Sequence, residues 1–268
     1  MIGVKGAQMA EIASAKGGKA GPYIINEQSS ADFSDDEQFD TAFDDSKIRS
    51  KFVFKVYTIL TLQLAFTTLL NIPFLMIDEV QEFATDYPWG IFICLVVFVV
   101  PYFMLVCCES TRRNFPTNIV LLFLMTLGMA GVCGYSTARL DTEVVFYAFM
   151  LTVLVTVAIT VMAIICPFDF TSCTMVVCVM MVVVMLFAVV AGIIVMVTKS
   201  RIVNIIYAGV CVILFSLFLI FDTQAIIGGR RVSLSPEEYI LGAVQIYVDI
   251  IEIFLNFLEL IGACTEND

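Results

Sequence analysis

The 268-residue chain contains no histidine. That absence excludes imidazole metal ligation, Ser-His and Cys-His catalysis and a histidine-based pH switch, so any response to pH has to come from carboxylates. Charge is scarce as well. Charged residues make up 15% of the chain against 60% hydrophobic ones, with a mean hydropathy of +0.97. These values exclude an ordinary soluble domain and describe a polytopic membrane protein. The net charge of −11 at pH 7 favours neither nucleic acid nor an anionic lipid surface as a partner. No Asn-x-Ser/Thr sequon occurs, no Cys-x-x-Cys pair and no internal repeat. Glycosylation therefore cannot report sidedness, and an inverted-repeat transporter gains no support. No charged segment leads into an apolar run near Met1, so the first hydrophobic span is expected to act as its own signal anchor.

What the chain does have is apolar length. Segments at about 52–76, 89–108, 117–138, 144–166, 173–198, 203–227 and 236–262 are each long enough to cross a bilayer, which predicts an all-α membrane protein with seven transmembrane helices. Residues 1–46 are rich in Gly, Ala, Ser, Asp and Glu without apolar periodicity, with Lys5, Lys16 and Lys19 facing nine carboxylates. They are expected to form a disordered acidic cytoplasmic tail, followed by a transmembrane domain at 47–262 and a short acidic end at 263–268. Lys47, Arg49, Lys51 and Lys55 at span 1, Arg112 and Arg113 in loop 2–3, and Arg230 and Arg231 in loop 6–7 outweigh Arg139, Lys199 and Arg201 on the other side. The N-terminus is thus expected to be cytoplasmic and the C-terminus opposite.

The nine cysteines mostly lie in or beside apolar runs, at Cys94, Cys133, Cys166, Cys173, Cys178 and Cys211, and read as small core hydrophobes. Cys107 and Cys108 sit at a span end beside Arg112 and Arg113, a placement suited to palmitoylation or to a plain boundary role. Met175, Met180, Met181 and Met185 suit adaptable packing. Ala130 and Gly134, with Gly128 and Gly131 nearby, let helix backbones approach. Thr152, Thr156 and Thr160 make a stripe on span 4 that is better suited to bonding helix carbonyls than to lining a pore.

The last span is the unusual one. Gln245, Asp249, Glu252, Asn256 and Glu259 recur at alternating four- and three-residue steps, which puts all five on one helix face. Asp249 and Glu252 together would cost about 5–7 kcal/mol if they faced lipid, so they face protein, water or an ion. The preceding span adds Asp222. Gly228-Gly229 is expected to stop span 6, and Ser235-Pro236-Glu237-Glu238 to open span 7 near Pro236 with a capping box, making the two spans antiparallel neighbours. At 1.5 Å per residue, Asp222 and Asp249 then lie roughly 9 and 20 Å from the shared end, a gap that tilt would have to close.

Several ordered motifs resemble the transmembrane Bax inhibitor motif family in its Lifeguard branch, from Phe43 to about Gly262. They are Ile48-Arg49-Ser50-Lys51-Phe52-Val53-Phe54-Lys55-Val56-Tyr57-Thr58-Ile59-Leu60 with Gln63-Leu64, Arg112-Arg113-Asn114-Phe115-Pro116-Thr117-Asn118, Phe168-Asp169-Phe170-Thr171, Ile220-Phe221-Asp222-Thr223-Gln224, Ser235-Pro236-Glu237-Glu238-Tyr239-Ile240 and Ile246-Tyr247-Val248-Asp249-Ile250-Ile251. The resemblance implies a seven-helix fold with the seventh helix central. It also implies a pH-sensitive calcium leak across internal membranes, such as the endoplasmic reticulum or Golgi, with the plasma membrane as another site, and suppression of apoptosis.

By motif match the family's paired aspartates fall on Asp222 and Asp249, the ion- and pH-sensing candidates, with calcium as a transiently bound or permeant ion and no cofactor. Gln245, Glu252, Asn256 and Glu259 form a secondary polar stripe. Arg112, Arg113, Arg230 and Arg231 are gate or anchor candidates. Cys166-Pro167-Phe168 before Asp169 replaces the commoner Lys-Thr form, which argues against a gating role for that loop. The alternative is a membrane protein that inhibits cell death by binding apoptosis-regulating membrane proteins without conducting. An aspartyl protease is disfavoured because Tyr247-Val248-Asp249 lacks the Gly-x-Gly-Asp loop, so no enzyme is expected.

Overall fold

A computed structural model describes residues 33–173, 201–229 and 233–265, with single positions at 179, 183 and 190 and side chains from Ser46. Met1–Asp45 and Ser46–Asp268 are two separate units. In the first, the described backbone is helical from Phe33, so part of the stretch expected to lack structure carries helix. Asp35, Asp36 and Glu37 suit the first turn of such a helix, whose dipole favours acids there.

Among the described residues there are eight α-helices: α1 (Phe33–Met76), α2 (Asp78–Asp86), α3 (Gly90–Cys107), α4 (Glu109–Arg113), α5 (Thr117–Thr137), α6 (Thr142–Ile165), α7 (Arg201–Ile227) and α8 (Tyr239–Thr265). Six of these are long and apolar enough to cross a bilayer, α1 through its part from Ser46 to Met76. The protein is therefore an all-α, multi-pass membrane bundle. The expected fifth span, with Met175, Met180, Met181, Met185 and Cys178, lies outside the described residues, as do Arg230 and Arg231.

Burial divides the spans by role. In α8, 67% of the most apolar window is buried and in α5 56%, against 17–22% in the other four. Those four turn large apolar side chains such as Phe54, Leu62, Phe92 and Leu154 outward, as lipid contact requires. Tyr247, Ile253 and Leu258 of α8 instead pack into the common core with Met125 and Met129 of α5. Helices α3 and α5 approach closely at Gly128 on α5, where a Cβ would lie 2.4 Å from the Phe98 nitrogen and 2.8 Å from the Cys94 oxygen of α3. Small residues at such crossings replace the hydrophobic driving force that lipid removes.

The expected threonine stripe is used locally at Thr152, whose hydroxyl donates to the Ala148 carbonyl at 2.7 Å.

Candidate functional site

The α7–α8 hairpin positions the acids. Helix α7 ends at Ile227, and Gly228 and Gly229 take φ of +78° and +71°, a conformation that favours glycine. The chain then folds back, and the Leu234 amide donates to the Ala225 carbonyl at 3.0 Å.

The expected capping box does not form. Ser235–Glu238 is a turn closed by the Glu238 amide on the Ser235 carbonyl at 2.9 Å, and α8 begins at Tyr239 rather than Pro236. The reason lies in the Glu238 carboxylate, which is taken by Arg112 Nη2 at 2.7 Å to each oxygen. A charge pair outcompetes a neutral cap.

This shift also narrows the gap in depth between the aspartates. Starting α8 three residues later removes about 4.5 Å of the depth mismatch, and Gly242 packs level with Ile226. Gln245 Nε2 then donates to Asp222 Oδ1 at 3.1 Å, and Asp249, one turn along the same face, has its carboxyl in hydrogen-bonding reach of Asp222. Both aspartates are buried, at 6% and 5% exposure. The buried Asp249 Oδ2 and Gln245 Oε1 have no protein donor. Each such oxygen represents a desolvation penalty of about 1–3 kcal/mol until a proton, water or cation meets it. Tyr102 of α3 lies within electrostatic reach of both aspartates. It carries no sequence signal beyond its place in an apolar run.

The rest of the stripe is spread along α8. Glu252 is half-buried, within electrostatic reach of Cys133 on α5 and of Tyr207 and Cys211 on α7. Asn256 is buried and donates to the Glu252 carbonyl at 2.7 Å. Glu259 is exposed and accepts a hydrogen bond from Asn204. Only Gln245 and Asp249 of the five reach Asp222.

Three arginines hold the near end of this hairpin. Arg112 and Glu238 form an ion pair at 13% and 10% side-chain exposure. Arg113 reaches Glu109, Glu237 and Glu238. The Glu238 hydrogen bond, aided by the other acids, pushes the Arg113 guanidinium up from its ordinary value. Arg49 of α1, read from sequence as an orientation charge, does more. Its Nε, Nη1 and Nη2 donate to the carbonyls of Ile227, Leu234 and Ala225 at 3.0, 2.5 and 2.9 Å. A cation there meets the Ile227 and Ala225 carbonyls at the negative end of the α7 dipole, the latter shared with the Leu234 amide. A cavity of about 590 Å³, lined by residues including Ser46, Ser50, Tyr57 and Ile227, opens beside this clamp.

The Phe168–Thr171 segment is fastened rather than loose. Gln224, two residues from Asp222 and buried, accepts from the Phe170 amide at 2.9 Å and donates to the Phe168 carbonyl at 3.0 Å. Asp169 Oδ1 accepts from the Thr171 amide and hydroxyl. Elsewhere Gln63 donates to Thr126 at 2.9 Å, and Thr67 and Tyr247 share a hydrogen bond of 2.8 Å, the polar glue that membrane helices use.

Among the described residues no three His, Cys, Asp or Glu side chains group as a metal site. Comparison with known proteins gives a consistent picture. The family model described as inhibitor of apoptosis-promoting Bax1 matches residues 49–266. Protein lifeguard 3 of Homo sapiens is 37% identical over 220 residues, covering 82% of this chain and 71% of its own length. Protein lifeguard 3 of Mus musculus is 35% identical, covering 82% and 72%. Protein lifeguard 4 of Mus musculus is 30% identical, covering 81% and 86%.

Proposed function

Because the chain belongs to the Bax inhibitor motif family, in its Lifeguard branch, which is non-catalytic and linked to apoptosis regulation, we propose that it is a pH-sensitive calcium leak of internal membranes gated by Asp222 and Asp249. The observation that carries this reading is a pair of buried carboxyls, Asp222 bonded to Gln245 and Asp249 one turn along from it, beside two buried oxygens without protein donors. Two carboxylates this close in low dielectric titrate as a coupled pair. One shared proton bonds α7 to α8. Its loss leaves either like-charge repulsion or a cation site of Asp222, Asp249 and the Gln245 oxygen. Calcium takes six to eight oxygens, so such a site holds it transiently, with water completing the shell.

The same reading makes the bundle seven helices around α8, with the N-terminus cytoplasmic, Arg112, Arg113, Arg230 and Arg231 anchoring the cytoplasmic end, and the endoplasmic reticulum or Golgi as its membrane. Residues 1–46 serve regulation or partner binding.

Calcium flux from liposomes holding the purified protein, measured across pH, tests the proposal. Wild-type flux should depend on pH, and Asp222→Asn and Asp249→Asn should flatten that dependence while keeping the fold, because Asn conserves shape and hydrogen bonding. An unchanged profile in both folded variants would leave the acids as interhelical glue. No flux at any pH would favour an inhibitor of cell death acting through partner binding alone.

A further inference from the structure

We propose that Cys107 and Cys108 are an S-acylation site that takes long-chain fatty acyl groups on the cytoplasmic face; the choice of face rests on the orientation given above. Helix α3 has 18 residues, about 27 Å, so its last residue stands where hydrocarbon gives way to headgroups. There the helix ends: the Cys108 amide closes on the Met104 carbonyl at 3.2 Å, with Cys108 itself at an extended ψ of 94°. Both thiols are free and exposed. Directly before them Val100, Phe103 and Met104 are exposed apolar side chains, at 54%, 47% and 39%, a lipid-facing strip along which an acyl chain would lie.

The corner that presents the thiols is braced without them. Arg112 Nη1 donates to the Val106 carbonyl at 3.0 Å while its Nη2 holds Glu238, and Asn118 Nδ2 donates to the Arg112 carbonyl at 3.1 Å. The guanidinium that closes α8 therefore also fixes the turn carrying the cysteines. Among the other described thiols, Cys133 and Cys211 are buried and Cys94 and Cys166 half-buried. Cys264 is exposed, but it lies near the far end of the 27-residue α8, about 40 Å from the corner that Glu238 closes. It sits on the opposite side of the bilayer and serves as a control within the molecule.

The reaction needs a long-chain acyl-CoA and a transferase. The cysteine thiolate attacks the acyl carbonyl carbon, and a new C–S bond forms as the C–S bond to coenzyme A breaks. Coenzyme A leaves as the thiol, carrying the proton the cysteine lost, and nothing is oxidised or reduced.

The test uses the full chain expressed in animal cells. Free thiols are blocked with maleimide, thioesters are cleaved with hydroxylamine, and the released thiols are tagged with a polyethylene-glycol maleimide. Wild type should gain one or two tags that depend on hydroxylamine. Cys107→Ser with Cys108→Ser should gain none, and Cys264→Ser should gain as many as wild type. Absence of tags on wild type, or tags that persist in the double variant, would overturn the proposal. The Cys107→Ala, Cys108→Ala pair repeats the test should the serine variant fold poorly. A membrane-impermeant maleimide on sealed microsomes reads the orientation separately. Cys264 should be protected, and its labelling would overturn the cytoplasmic assignment of the acylated corner even where tags are found.

Discussion

Near Tyr239 the last helix meets Arg112, whose charge is spent on a nearly buried carboxylate, and the adjoining loop meets Arg49, whose donors are spent on three carbonyls. Near Thr265 the same helix meets Arg201, which donates to the Cys264 carbonyl at 3.0 Å, and Asn204, which donates to Glu259, both at exposed positions. The chemistry of the two ends is similar and the surroundings differ. A pair out of water is strong once made and expensive to break, whereas an exposed one is screened and contributes little. The near end of α8 is thus fixed, and displacement away from Asp222 meets least resistance toward the far end.

The largest expected effect is functional. Asp249→Asn should abolish the pH dependence of liposome flux, whereas Glu259→Gln should leave it in place. If both variants respond alike, the two halves of α8 are equivalent and the comparison fails. Next comes Arg112→Ala, which leaves Glu238 with Arg113 as its remaining cation and should cost about 1–3 kcal/mol. Thermal unfolding in detergent measures this, and Arg112→Ala combined with Glu238→Gln should recover part of the loss. Gly228→Ala should follow, at upwards of about 1 kcal/mol, since φ there is +78° and a Cβ would lie 2.3 Å from Arg49 Nη2. At the exposed end, Asn204→Ala should change stability by no more than about 0.5 kcal/mol. Deleting residues 1–45 should change neither melting temperature nor basal flux. A truncated chain that no longer folds would make that unit structural.

Much of this arrangement is legible in the sequence because lipid is a strict solvent. It demands continuous apolar runs, which mark five of the described helices to within a few residues and the end of α1 at Met76, and it makes Asp222, Asp249 and Glu252 stand out. The Gly228-Gly229 stop is local chemistry and is read correctly. What sequence misreads is settled at long range. Ser235-Pro236-Glu237-Glu238 has the spacing of a capping box, but Glu238 is claimed by Arg112, 126 residues away. That competition delays the start of α8, which accounts for about 4.5 Å of the roughly 11 Å by which the expected depths of the two aspartates disagree. Arg49 signals orientation by its charge, while nothing in its neighbourhood announces carbonyls 176 to 185 residues downstream.

That distance also sets a schedule for biogenesis. Leu234 is made 185 residues after Arg49, and at roughly 5–20 residues per second the ribosome takes about 10–40 s to cover that interval. For most of it the first span is complete while the carbonyls that Arg49 binds have not been made. The clamp is therefore among the last joints to close, and a nascent chain stalled before Leu234 carries an open seam where α1 should grip the end of α7.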